Sequence, residues 1–503
     1  MEDQGSQRQL PSMSPGHHLV HGTALVFMAD ALFPLTGIIT AAYLTRNLGA
    51  EYYGYLTLAA TLISWIELAI SSFFARATVK LVGDAEDWRP IGATVLRLHC
   101  YVGLCAMALF WILAKPCALL LGEPRLAAYI ALFSLDLLFF APSNCHISLI
   151  IGRGKYTERA IISAGRWIAR LVLILLLVGM GFSLTGAILG NIGASLIELA
   201  IARYFIRPSW PKRTIAPLAL LDYAVPIFLA TIILRSLGLG LFLLKMMGAS
   251  AAQAGFYGAA QNVSFIMPGT IAISLSPLLL STVNRVLREG NLPAARVLIR
   301  NAMRTVIAMF PLAAIASAAS NEIAVLLFGR QFAGAGPLIA ILIFAGLSLL
   351  LANLINAILI SCGKPSWTLW LAAPLLPIAI AGHLFAIPRF GAVGAAAVTA
   401  AVTSLGALAG AVTVKKFFKV DLPVATFLRA LLLSGIVYPA VHFWPVHGAA
   451  TVAEIVIAVI LVLAGYVILG EFRHGEIQFF RDVVRQALSR GLPEQSSPED
   501  SQA

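Results

Sequence analysis

Uncharged apolar runs, each closed by a short charged or Gly/Pro-containing stretch, recur along almost the whole chain. A helix needs about 20 residues to cross a hydrocarbon core about 30 Å thick, and so many all-round apolar helices cannot share one water-soluble core. Cutting at the charge clusters and Gly/Pro breaks predicts fourteen spans, near residues 20–45, 53–79, 91–115, 126–150, 160–180, 184–206, 217–244, 254–284, 297–318, 336–361, 367–387, 391–414, 425–445 and 451–470. The expected fold class is an all-α polytopic membrane protein.

Three small motifs return about 200 residues later at matching places in this span pattern. Leu48-Gly49 with Tyr53-Gly54 is echoed by Met247-Gly248 with Tyr257-Gly258, Gly154-Lys155 by Gly363-Lys364, and Gly186-Ala187 by Gly394-Ala395. Three in order predict two six-helix lobes in parallel orientation, related by an axis along the membrane normal. The expected organisation is a tail over 1–19, a first lobe over 20–206, a second over 217–414, two added helices over 425–470, and a terminal segment over 471–503. In that segment Ile477, Phe480, Val484 and Leu488 recur at helical spacing among arginines, which predicts an amphipathic helix before a Ser-, Glu- and Pro-rich disordered tail.

Composition agrees with lipid as the main solvent: of 503 residues 59% are hydrophobic and 12% charged. The net charge of +12 does not mark a nucleic-acid binder, because the cations lie in short clusters between apolar runs. With both termini cytoplasmic, 27 of the 35 Lys and Arg fall on the inside, 6 outside and 2 within spans, an asymmetry that supports the orientation and the span count. The apolar run from Leu19 to Leu44 exceeds the core of a cleaved signal and is expected to stay as a span. The five cysteines lack metal-ligand spacing, and Gly154-Lys155 and Gly363-Lys364 lack the rest of a phosphate loop, so neither metal nor cofactor is expected.

Six acidic or basic residues remain near the middle of predicted spans: Asp30, Glu67, Asp136, Arg170, Glu198 and Arg235. Each costs roughly 3 kcal/mol near the bilayer centre unless paired or wet, so they must face one another or a hydrated cavity. The acids belong to the first half, since between Ala224 and Val420 only Glu289 and Glu322 occur, both at span ends. Arginine stays charged when desolvated and grips phosphate with a planar fork, so Arg170 and Arg235 are candidates to attract a phosphate-bearing substrate. Asp30, Glu67, Asp136 and Glu198 are candidates for the cavity wall or for ion coupling.

Tyr43-Leu44-Thr45-Arg46-Asn47-Leu48-Gly49 with Tyr53-Gly54 resembles the opening of the polysaccharide flippases of the MATE-like MOP superfamily. Ala254-Gly255-Phe256-Tyr257 with Ala260, Leu327-Phe328-Gly329 with Phe332, Leu359 with Gly363-Lys364, and Pro388-Arg389-Phe390-Gly391 with Gly394-Ala395-Ala396 carry the resemblance onward, over roughly residues 20 to 415. It implies a non-enzymatic transporter in a bacterial inner membrane, moving an undecaprenyl-pyrophosphate-linked oligosaccharide between leaflets by alternating access. Arg170, Arg235, Arg166 and Arg46 would then be the pyrophosphate candidates, and membrane lipid and polysaccharide polymerase or assembly proteins the partners. Within transport the rivals are a lipid II flippase and an ion-coupled multidrug antiporter. A membrane glycosyltransferase or polymerase is disfavoured by interior connections of only about ten to twenty residues.

Overall fold

A computed structural model describes residues 15–208 and 239–471, apart from Pro365, Pro445 and Ala449. Among these residues the chain forms helices and no strand, as a backbone without water to bond must. In chain order the helices are α1 (Pro15–Asp84), α2 (Arg89–Leu120), α3 (Leu126–Phe133), α4 (Asp136–Gly152), α5 (Tyr156–Leu177), α6 (Ser183–Phe205), α7 (Gly240–Met246) and α8 (Ala251–Arg288). They continue as α9 (Leu292–Ile307), α10 (Phe310–Ala318), α11 (Ser320–Phe328), α12 (Gly336–Ser361), α13 (Ser366–Ala372), α14 (Leu375–Phe418), α15 (Val424–His442) and α16 (Ala450–Ile468).

Nine described segments are long and apolar enough to cross a membrane, and three of them, of 45, 50 and 53 residues, hold two crossings each. Each of the three reverses at a glycine with positive φ: Gly49 (75°), Gly181 (92°) and Gly391 (57°). A side chain would be strained there, which is why the turns fall on glycine. The hairpins close tightly behind these turns. A Cβ on Gly186 would lie 2.9 Å from the Leu177 carbonyl carbon, and one on Gly394 2.5 Å from the Ala386 carbonyl oxygen.

The repeated motifs occupy equivalent positions. Lys155 N–H donates to Ile150 C=O and Gly154 N–H to Ile151 C=O, and Lys364 and Gly363 make the same two bonds to Leu359 and Ile360. Both Gly-Lys pairs are thus helix C-caps with a left-handed glycine. Thirteen predicted spans coincide with described helices; the seventh is described only from Leu239 onward, and the amphipathic segment after 471 lies outside the described residues. Two spans expected as continuous are broken. The fourth divides at Ser134–Leu135 between α3 and α4, and Pro311 opens α10 instead of bending one long helix.

α1, α2, α4, α5 and α6 pack on one another, α8, α12 and α14 form a second group, and α15 and α16 lie against α10. The main bridge between the two groups is α1 on α8. At their crossing a Cβ on Gly54 would stand 1.9 Å from the Ala251 carbonyl oxygen, and one on Gly255 2.2 Å from that of Ala50. Only glycine permits backbones so close.

Candidate functional site

Between the two groups lies a cavity of about 490 Å³, lined from the first by both arms of α1, by α5 and by α6, and from the second by α8, α12 and α14. Thr40, Thr57, Thr61, Ser64, Asn191, Gln261, Asn262, Thr399 and Thr403 give its wall hydroxyl and amide groups, beside Phe33, Trp65 and Phe265. Arg170 is the one Lys, Arg, Asp or Glu among the described residues of the lining. Its Nε has no hydrogen-bond partner there.

Behind Arg170 the first group holds an ionic cluster. Arg166 donates from Nη1 to Glu198 Oε2 at 2.9 Å, and its guanidinium lies 5.3 Å from the Phe140 ring centroid and 5.5 Å from that of Trp167. Two turns before, Arg159 approaches Asp30 at 3.6 Å, and Ser163, which receives a hydrogen bond from Arg159, donates to Asp30 at 3.0 Å. Asp136 is fully buried, facing Glu67 and Arg166 with the Ser195 hydroxyl beside it. The geometry stops short of a hydrogen bond to either of its carboxylate oxygens. The break in the fourth span places Asp136 in the first turn of α4, although the Leu137 and Leu138 N–H groups stay bonded to Ser134 and Leu135 across the break. Around Arg166 and Arg170, three carboxylates, Glu67, Asp136 and Glu198, meet two guanidiniums.

Beyond one end of the cavity the groups are sewn together. Arg46 Nη2 donates to Leu326 C=O at 2.6 Å, Gln331 Nε2 to Thr45 C=O at 2.7 Å, and Asn262 Nδ2 to the Tyr53 hydroxyl at 2.9 Å. Lys245 Nζ pairs with Glu123 at 2.8 Å, and the Tyr55 hydroxyl bonds the same carboxylate at 3.0 Å. With the Gly54–Gly255 crossing these contacts form a closed seam.

The second group has a buried polar cluster of another kind. Tyr257 and Thr399 share a hydroxyl–hydroxyl bond of 3.0 Å, and Thr399 and Thr403 each donate one turn back, to Ala395 and Thr399. His383 beside them is 0% exposed, and neither ring nitrogen has a partner among the described residues. An unmet buried nitrogen costs about 1–3 kcal/mol.

Of the sequence candidates, Arg170 alone lines the cavity; Glu67 and Asp136 lie just behind it. Arg166 is engaged by Glu198, Asp30 by Arg159, and Arg46 by the seam. Arg235 lies outside the described residues. The charges in the predicted spans are expected to face one another or a hydrated cavity; the ion pairs seen join Arg166 to Glu198 and Arg159 to Asp30. Sequence reasoning missed Arg159 by placing it just outside the fifth span, although Arg159, Ser163, Arg166 and Arg170 share one helical face at spacings of three and four. It passed over Tyr257, His383 and Thr399 because only formal charges were weighed.

Residues 43–337 match a family model described as polysaccharide biosynthesis protein. No curated protein matches by sequence. Among solved structures, the lipid II flippase MurJ in an inward closed conformation is similar with a TM-score of 0.71 at 14% identity, over 93% of this chain and 99% of that one. The Vibrio cholerae MATE transporter VcmN, as a point mutant, gives 0.59 at 15% identity over 80% and 97%. A MOP-superfamily transporter from Pyrococcus furiosus gives 0.57 at 13% identity over 83% and 99%. At such identities the likeness concerns the fold.

Proposed function

The chain belongs to the polysaccharide biosynthesis protein family, and on that premise we propose that it is a flippase which carries a lipid-linked oligosaccharide across its membrane by alternating access. The carrying observation is Arg170, a cation with an unpartnered Nε in a cavity otherwise lined by hydroxyl, amide and apolar groups. Such a wall suits a cargo with one anionic headgroup and neutral sugars: the guanidinium takes the pyrophosphate, and the hydroxyls and amides exchange bonds with the glycan. Undecaprenyl pyrophosphate is the carrier lipid this reading names, with Arg235 as a second ligand.

The excess of Lys and Arg on one side supports, in this reading, a seam on the outer face and both termini in the cytoplasm, with a bacterial inner membrane as the setting. The described conformation is then closed outward, and the glycine crossing at Gly54 and Gly255 is the contact that must part for release. An anion leaving a negative-inside cell gains about 2.3 kcal/mol per charge per 100 mV. Glu67 and Asp136 add a coupling route. Two facing carboxylates beside two guanidiniums and Glu198 leave one negative charge in excess, which a single shared proton neutralises. Polymerase or assembly proteins that accept the flipped glycan are the partners implied.

Deleting the gene and labelling lipids leaflet by leaflet tests the reading. Lipid-linked oligosaccharide should accumulate facing the cytoplasm. An unchanged glycan with lost dye efflux would make the protein a drug antiporter, and accumulated lipid II would make it a lipid II flippase. In vesicles, Arg170→Gln should lower flipping at least tenfold while the protein stays folded. Normal flipping by Arg170→Gln combined with Arg235→Gln would remove the pyrophosphate assignment.

A further inference from the structure

His383 is the buried titratable group that the reading above leaves unused. It sits in the first arm of α14, eight residues and so about 12 Å before the Gly391 turn. Its surroundings converge on one point. A Cβ at position 240 would lie 2.8 Å from the Tyr257 hydroxyl, 3.0 Å from His383 Cε1 and 3.1 Å from Thr399 Oγ1, and Gly240 leaves that space open. The Tyr257–Thr399 bond continues to the cavity, because Thr399 and Thr403 are part of its wall.

A neutral imidazole with one donor and one acceptor, both unmet, is a poor structural core residue. Next to a hydroxyl chain that reaches a wet cavity, it is placed to receive a proton. Among the described residues no carboxylate faces it to hold a metal cation: α12, α13 and α14 carry no acid, and the flanking acids in sequence are Glu322, in the first turn of α11, and Asp421, past the end of α14. The charged side chains on the elements packed against α14 are distant or engaged. Lys245 on α7 is bound to Glu123, and Arg285 and Arg288 sit in the last turn of α8. On α14 itself Arg389 bonds the Phe385 carbonyl, and Lys415 and Lys416 end the helix. Tyr257 is the titratable neighbour, and Arg235 lies outside the described residues.

We propose that His383 is a proton-binding site in the second half of the protein and that its protonation opens the seam. The link is α7. This helix of seven residues touches the His383 site at Gly240 and pairs across the seam at Lys245, five residues on. An imidazolium needs two hydrogen-bond acceptors or water, which the closed cluster does not supply. Admitting them displaces Gly240, and a shift of so short a helix moves Lys245 off Glu123. The proposal needs no assumption about the cargo, so it stands or falls apart from the flippase reading.

The test places spin labels at Asn47→Cys and Ala333→Cys, two exposed positions on opposite sides of the seam, in protein whose own five cysteines are replaced. Distances are measured in lipid nanodiscs between pH 8 and pH 5, without cargo. The population with the longer distance should rise at least threefold at pH 5 in the otherwise native chain. With His383→Gln or His383→Asn the short distance should persist at both pH values. A native chain that does not respond, one that closes further in acid, or a His383 variant that responds like the native chain overturns the proposal. Should neither His383 variant fold, Gly240→Ala, which crowds the site and keeps the imidazole, must move the midpoint of the response; an unmoved midpoint is equally fatal.

Discussion

Among the described residues the interior of the first half is ionic and that of the second half is neutral, although both are built from the same glycine-turned hairpins. Around Arg170 the first half buries Arg166 with Glu198, Arg159 with Asp30, and Asp136 facing Glu67. Opposite, the second half places Tyr257, Thr399, Thr403 and His383. The shared backbone plan leaves the interior polarity free to diverge, as the equivalent caps at Gly154 and Gly363 beside such different cores show. One wall thus carries the fixed positive charge, and the other offers hydroxyls that rotate to suit a neutral partner.

The largest expected effect comes from breaking a buried charge pair. Glu198→Ala removes the one carboxylate hydrogen-bonded to the buried Arg166 guanidinium and should lower stability by about 3–5 kcal/mol, seen as a lower midpoint of thermal unfolding in detergent. Tyr257→Phe in the second half should cost about 1 kcal/mol, because Thr399 keeps its bond to Ala395. Equal losses would end the contrast.

The second half does hold one ionic cluster, at its edge. Glu471, just past α16, accepts from Arg304 Nε at 2.6 Å, from Arg429 Nη1 at 2.6 Å and from the Thr426 hydroxyl at 2.5 Å. Burial alone would raise its pKa; the Thr426 hydroxyl and the two guanidiniums outweigh that and hold it below the usual 4.5. A carboxylate depressed in the folded state stabilises the fold above its unfolded value, and the contribution disappears as pH falls through the folded value. Unfolding of the native chain should therefore become easier as pH drops below about 4.5, and Glu471→Gln should flatten that dependence. The smallest effect belongs to the exposed pair Lys155–Glu158, at 3.3 Å. Lys155→Ala should change stability by less than about 0.5 kcal/mol, and a larger loss would mean that charge at the membrane surface matters as much as charge inside.

How much of this was legible in the sequence differs by level. Span positions followed from apolar run length, because lipid forces every backbone group to bond within its own helix. The repeat followed from glycines, since the turns at Gly49, Gly154, Gly248 and Gly363 all need positive φ, which a side chain resists. The site was legible only as a set of charges. Which acid meets which arginine depends on helix rotation: Glu198 faces Arg166 rather than Arg170 because of how α6 lies on α5, and no local pattern states that. The break before Asp136 was hidden as well, since Ser134–Leu135 has neither glycine nor proline to announce it.

The Glu471 cluster also orders events in time. Its carboxylate joins a partner made 167 residues earlier, Arg304, to one made 42 residues earlier, Arg429. Until residue 471 has been made, Arg304 and Arg429 lack the carboxylate they share, and only apolar packing holds α15 on α10. The cluster closes only after α16 has been made, so a chain truncated before residue 471 would insert its helices and lack this ionic lock between α9 and α15.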